Sequence, residues 1–230
     1  VHQGGPGHFG WPRVPHPAQA GTEATIAALR AAVAAAGKAN VLGFVYELVQ
    51  ERTGWVLPAE FLTQLAALRA ELDLPLIAIE TTTSTYRSGQ GPFLSTAAGL
   101  VPDVLVWWGG GQTGYLHCAP KWFVPGPLTL VSTWDGDELS LIRQHHYLRE
   151  ARKIDVAAGA AALDAALAGV ASSGLGAYRV IDAGEMSGQL TQALAAHGVA
   201  VRKFPNGKLG VIPALDQLDA AARALREALK

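Results

Sequence analysis

Cysteine is almost missing from this chain. Cys118 is the only one in 230 residues, which excludes an internal disulfide framework and fits a reducing compartment, the cytoplasm. Charge is scarce as well: 16% of the residues are Asp, Glu, Lys or Arg, and the formal net charge is −1. A chain so balanced carries no basic footprint for nucleic acid and none for an acidic membrane surface. No apolar run reaches the roughly 18 residues of a transmembrane helix. The first residues show no secretory signal, because Gly, Pro and His interrupt every apolar stretch. The sequence opens on Val rather than Met, and the expectation is a processed chain or part of a longer one.

Signatures of metal binding and catalysis are equally thin. No GxSxG elbow is present, which argues against a serine hydrolase. His2, His8 and His16 have no carboxylate or Cys at ligand spacing nearby. His145 and His146 are neighbours on an expected helix, so their side chains diverge by about 100° and cannot clasp one ion. No metal site is expected. Cys118 follows His117, but sequence neighbours seldom face each other, and a structural thiol is the reading. WWGGGQTG (107–114) follows an apolar strand, where ligand loops of α/β sheets usually sit. It lacks the P-loop lysine, the GxGxxG spacing and an acidic residue about 20 positions on. A tight turn that lets backbones approach is the first reading, and a phosphate cradle the alternative.

What the chain does have is apolar material. Half of the residues are hydrophobic and mean hydropathy is +0.20, enough for one or two globular domains with a sizeable core. Residues 1 to about 20, rich in Gly, Pro and His, read as an irregular arm. Thr22 can cap a helix over 23–36, with Ile26, Leu29 and Val33 at helical spacing. Residues 41–49 suit a buried strand. Pro58 opens a second helix, in which Phe61, Leu65, Leu68 and Leu72 form one stripe. Residues 75–80 and 103–108 are further apolar strands, and strands alternating with helices predict a mainly parallel sheet covered on both faces. Residues 137–170 read as one long Ala-rich helical region. Strands at 178–183, 199–204 and 208–213, with helices at 187–197 and 216–229, predict a separate small α+β domain. The expected domains are residues 1–150 and 151–230.

Several segments resemble one family in order. VLGFVYELVQERTGWVLPAEFL (41–62) is similar to a segment built on E-P-V-Q-x-x-x-G, with Glu47, Val49, Gln50, Gly54, Pro58, Phe61 and Leu62 matching. LIAIETTTSTYRSG (76–89) resembles L-I-x-D-E-V-x-T-G-x-G-R-T-G through Glu80, Thr83, Arg87 and Gly89. Pro102-Asp103 begins a P-D-[IV] strand. VSTWDG (131–136) stands at a T-[FY]-x-G turn, and VIPAL (211–215) resembles a PPL strand. On these motifs the chain resembles the C-terminal half of a class III, fold-type I, pyridoxal-phosphate-dependent aminotransferase. The resemblance implies an α/β fold: part of a fold-type I PLP-transferase large domain, plus a small C-terminal α+β domain.

The same resemblance implies losses. The family lysine that binds the cofactor falls on Gly109, and the aspartate that keeps its pyridine nitrogen protonated falls on Ile79. Lys121, the nearest lysine, lies twelve residues beyond Gly109 in a Pro-rich loop. The arginine that grips the substrate carboxylate falls near Gly210, two residues from Lys208. Nothing corresponds to the family's Gly/Ser-rich phosphate segment. No catalytic residue is assigned, and pyridoxal phosphate is expected only non-covalently or in a partner subunit.

Three functions stay open at this point. The chain can be a non-catalytic, aminotransferase-like partner in a homo- or hetero-oligomer, with Ser132 and Thr133 reaching the neighbouring subunit's cofactor phosphate. Against that, Thr133 can simply cap the helix near 137. The chain can instead be a diverged enzyme whose cofactor-binding groups are Glu80, Glu47 and Arg87; the plainer role for Arg87 is an ion pair with one of those glutamates. It can also be a fragment of a longer chain whose other half supplies the active site. Kinship of fold does not decide among these.

Overall fold

Aliphatic residues repeating every three to four positions build the first helices, and short β-branched runs build the strands between them. The computed structural model describes residues 10–109, 113–126 and 137–229. In chain order the elements are α1 (Pro17–Ala20), α2 (Thr22–Ala36), β1 (Phe44–Glu47), α3 (Ala59–Leu72), β2 (Leu76–Glu80), α4 (Leu94–Ala97), β3 (Val104–Trp108) and β4 (Gly114–Cys118). There follow α5 (Glu138–Ala151), α6 (Val156–Ala166), β5 (Ser172–Leu175), β6 (Tyr178–Asp182), α7 (Ser187–Ala196), β7 (Val201–Lys203), β8 (Lys208–Val211) and α8 (Leu218–Ala228). Among the described residues no helix is long and apolar enough to cross a membrane.

The chain divides into two compact units, Val1–Gly43 with Pro58–Pro75, and Phe44–Leu57 with Leu76–Lys230. In the first unit α2 packs on α3. Leu29 and Val33 of α2 are buried, as are Phe61, Leu65 and Leu68 of α3. A bidentate Arg30–Glu71 pair bridges the two helices on the surface. Thr22 is the first residue of α2 rather than its cap. Gly21 holds the cap position, and the Thr25 hydroxyl donates to the Gly21 carbonyl.

The second unit holds two sheets. In the first, the order is β1-β2-β3-β4. β1 runs parallel to β2 and β2 to β3, as the apolar strands predict, and β4 returns antiparallel beside β3. The second sheet has the order β5-β6-β8-β7, antiparallel throughout. The expected mainly parallel sheet and separate small sheet are both present; β4 and β5 were not expected.

The helical region 137–170 is two helices, not one. α5 ends at Ala151, and the Asp155 carboxylate accepts from Ala158 N–H to start α6. The Asp-initiated restart wins over the Ala-rich propensity, because a side-chain oxygen satisfies an otherwise orphaned amide. α6 and α8 then pack closely: a Cβ at Gly159 would lie 2.6 Å from Leu218 Cβ, so only glycine permits this approach. α8 buries Leu218, Ala221, Ala222 and Leu225, the i, i+3, i+4, i+7 stripe of a helix packed on one face. Leu163, Ile181, Leu194, Leu209 and Leu225 are fully buried in the same core.

α5 is patterned the other way. It buries Ser140, Gln144 and Ala151, while Leu139, Leu141 and Ile142 are exposed.

Candidate functional site

Ligands of open α/β sheets sit beyond the carboxyl ends of the parallel strands. Here those ends carry Glu47 on β1, Ile79 and Glu80 on β2, and Trp107, Trp108 and Gly109 on or just after β3. The register settles which of these share a face. Glu47 pairs with Ile79, and Ile79 with Val106, so these three lie together. Glu80 pairs with Trp107 and projects to the opposite, buried face.

Glu80 is fully buried, and its carboxylate is occupied by its own surroundings. It accepts from Leu94 N–H at 2.8 Å, from Ser95 N–H at 2.8 Å and from the Thr83 hydroxyl at 2.9 Å. These bonds satisfy the free amides at the start of α4 and tie β2 to the segment after it. Glu47, in contrast, has a carboxyl held above the usual glutamate range, chiefly by burial; an N–H of Glu51 partly offsets this.

Between β2 and α4 runs the TTTSTYRSG segment (81–89), most of it buried despite its polarity. Several of its hydroxyls are engaged: Thr82 donates to the Val49 carbonyl at 3.3 Å and Ser84 to the Trp108 carbonyl at 3.5 Å. Thr85 and Tyr86 are held at φ of 59° and 68°. That is a costly region for a β-branched or bulky residue, and it marks the segment as held by its neighbours.

Arg87 is 9% exposed. Its Nη2 donates to the Pro213 carbonyl at 3.0 Å, and Tyr147 of α5 supplies its other side-chain partner. Burial lowers its pKa. The ion pair with Glu47 or Glu80 does not form, and Nε has no acceptor. Glu80 is spent on α4, which leaves a carbonyl and a phenol for the guanidinium.

Gly109 lies just past β3, and a Cβ placed on it would run into the carboxamide of Gln144, with Nε2 at 2.7 Å. Gln144, from α5, is 5% exposed, and its own Nε2 has no partner. The room beside Gly109 is therefore filled by a neighbouring side chain. Gly210, on β8, is similar: a Cβ there would sit 2.7 Å from Phe204 Cε2 and 3.1 Å from the Tyr178 hydroxyl. Lys208 is engaged with Asp182 at 3.3 Å. Lys121 lies 3.7 Å from Asp103, which precedes β3, so the length of that strand puts it roughly 20 Å from Gly109. Ser132 and Thr133 lie outside the described residues, as do 110–112 of the Gly-rich loop; Asp137 caps α5, accepting from Leu139 N–H at 3.1 Å.

The structure thus brings Glu47 and Ile79 to one face at the strand ends and places Glu80 on the other. Sequence reasoning missed Gln144 and Tyr147. Their signal was present in the stripe Ser140, Gln144, Tyr147, Ala151, spaced i, i+4, i+7, i+11 along one side of α5. An aromatic group also went unread. Trp107 stacks on Tyr115 at 4.2 Å and meets Phe93 edge-on at 5.3 Å.

No protein-family model and no curated protein matches the sequence. Solved structures do match. A thermostable (S)-enantioselective omega-transaminase from Thermomicrobium roseum superposes with a TM-score of 0.77 at 19% identity, over 97% of this chain and 62% of its own. The fold is that of the transaminases. A mutant of Rv3290C from M. tuberculosis gives a TM-score of 0.77 at 22% identity, covering 96% of this chain and 59% of that one. An amine transaminase from an uncultivated Pseudomonas species, in its PLP-bound internal aldimine form, gives 0.74 at 21%, over 91% and 56%. The chain therefore has a partial transaminase fold, matched almost throughout, and spans about three-fifths of the solved chains it matches. Among the described residues no group of three His, Cys, Asp or Glu could hold a metal ion.

Proposed function

We propose that this chain is a non-catalytic, aminotransferase-like subunit that forms no Schiff base of its own and serves as the structural partner of another transaminase-fold polypeptide. The observation that carries this reading is Gln144, whose buried carboxamide fills the space beside Gly109. Where the resemblance places the cofactor lysine there is no amine, and the space beside Gly109 is taken by the Gln144 carboxamide. In the family the chain resembles, a lysine amine anchors pyridoxal phosphate and a carboxylate keeps its ring nitrogen protonated. Ile79 offers no charge for the second task, and Lys121 is too far away for the first. The residues present do not fit that cofactor held covalently.

Other features support the same reading. Gly210, near the place the resemblance gives to the substrate-gripping arginine, carries no cation, and Phe204 and Tyr178 stand against it. The reading takes residues 151–230 as the small domain. It also places the protein in the cytoplasm, on its single free cysteine.

The test is reduction with borohydride after incubation with pyridoxal phosphate, followed by peptide mapping. The expected result is no visible-edge absorbance band and no stoichiometric adduct. A stoichiometric adduct at any lysine, Lys121 above all, overturns the reading and restores the diverged enzyme.

A further inference from the structure

Two donors beside the strand ends are buried and have no acceptor among the described residues. One is Nε of Arg87, 9% exposed, and the other is Nε2 of Gln144, 5% exposed. A closed circuit of contacts holds them together. Gln144 lies against Gly109, and Tyr147 follows it by one turn on the same side of α5, with Cβ atoms about 5–6 Å apart. Tyr147 hydrogen-bonds to the Arg87 side chain. The Arg87 N–H donates to the Ser84 carbonyl at 3.2 Å. The Ser84 hydroxyl donates in turn to the carbonyl of Trp108, the residue before Gly109, which closes the circuit. The acceptors around it are already engaged: the Ser84 and Trp108 carbonyls as just described, and the Pro213 carbonyl by Arg87 Nη2. The Glu80 carboxylate is taken up by Leu94, Ser95 and Thr83.

We infer that Arg87 and Gln144 form a binding site for a small oxyanion, a carboxylate or phosphate group, which accepts from Arg87 Nε and from Gln144 Nε2. Both groups are donors only, so what they bind must bring acceptors. Protein interiors seldom leave such donors unpaired. Charge decides between a neutral acceptor and an anion. Among the described residues no carboxylate partners Arg87, and a buried guanidinium without a counter-charge is strongly disfavoured. An oxyanion supplies that charge together with two or more oxygens, and charge-assisted bonds to arginine are the strong ones. Gly109 belongs to the construction as well, because a Cβ there would displace the Gln144 carboxamide. The site does not depend on the structural-partner reading.

The experiment follows thermal unfolding of the purified chain in sodium formate and, separately, in sodium phosphate, with sodium chloride at equal ionic strength and pH as the reference. Formate or phosphate should raise Tm along a saturating curve that chloride does not reproduce. The arm with the lower midpoint names the group, carboxylate or phosphate. In a nitrogen-edited NMR spectrum the Arg87 Nε–H and Gln144 carboxamide signals should shift with that same midpoint. Gln144→Glu sets a carboxylate beside Arg87 in the anion's place and should abolish the response. Gln144→Leu removes the donor without adding charge; it serves if the first variant does not fold, and should raise the midpoint by about tenfold. A rise no greater than that in chloride overturns the inference. So does a saturating rise that leaves both NMR signals unmoved, or one that both variants leave unchanged. A lysine adduct in the borohydride experiment does not touch this site, and failure here leaves the functional reading as it was.

Discussion

The two sheets of the second unit contain four strands each, yet they are finished to different degrees. The antiparallel sheet is backed by α6, α7 and α8, and Leu163, Leu194, Leu209 and Leu225 are fully buried there. The parallel sheet buries one face and leaves apolar side chains open on the other. Composition does not explain it: the exposed strands are the more apolar ones, with only Glu47 and Glu80 charged, whereas the antiparallel strands carry Arg179, Asp182, Arg202, Lys203 and Lys208. The difference lies in which helices back each sheet among the described residues. Covering a parallel sheet takes crossover helices on each side, whereas an antiparallel sheet can bury one face against helices and leave the other to solvent.

Truncations on the two sheets should expose that difference most strongly. Leu209→Ala opens a cavity in the closed core and should cost about 2–5 kcal/mol. Val106→Ala, on the open face, should cost under about 1 kcal/mol, because little surrounding structure is lost. Urea unfolding of both variants measures this. Equal losses would mean that the parallel sheet's second face is covered after all.

The comparison sharpens at Gly109, where the parallel sheet meets α5. Gly109→Ala forces the Gln144 carboxamide to move and should cost about 1–3 kcal/mol by overpacking. Combined with Gln144→Ala, the two changes should cost less than their sum, with a coupling of about 1 kcal/mol in a double-mutant cycle. Strict additivity would show that Gln144 does not fill that space.

The smallest expected effect is electrostatic. Burial holds the Glu47 carboxyl above its ordinary pKa, so the folded chain keeps a proton that the unfolded chain has already released. Stability from this group is present in acid and declines as pH rises from the ordinary glutamate range through the raised value. Glu47→Gln should remove that decline, matching the parent in acid and exceeding it slightly at neutrality. Denaturation midpoints at both pH values test the sign, and a variant less stable at neutrality would reverse it.

Much of the fold was legible in the sequence because apolar runs and helical stripes report burial directly. β2 and β3 lie within a residue of their expected bounds, and the stripe of α3 is buried at Phe61, Leu65 and Leu68. β4 was missed because GYLHC carries no alternating or continuous apolar signal. β5 was missed because SSGL reads as a turn. The candidate site was legible in its residue types but not in its pairings. Glu80 looks like a ligand in a motif, and only tertiary structure brings Leu94 and Ser95 to it. Arg87 suggested an ion pair with Glu47 or Glu80, but its contacts come from Pro213, far along the chain, and from Tyr147.

Arg87 also joins the two sheets twice. Its carbonyl accepts from Ala177 N–H at 2.8 Å in the turn before β6, while its guanidinium holds the Pro213 carbonyl just after β8. Tyr178 adds a third tie, donating its hydroxyl to the Glu51 carbonyl. A fluctuation that peels the antiparallel sheet away must break all three at once, so the amide of Ala177 is released only in a sub-global opening, not by local fraying. The closed sheet should thereby lend its protection to the open one, so that amides of the incompletely covered strands exchange no faster than these ties break.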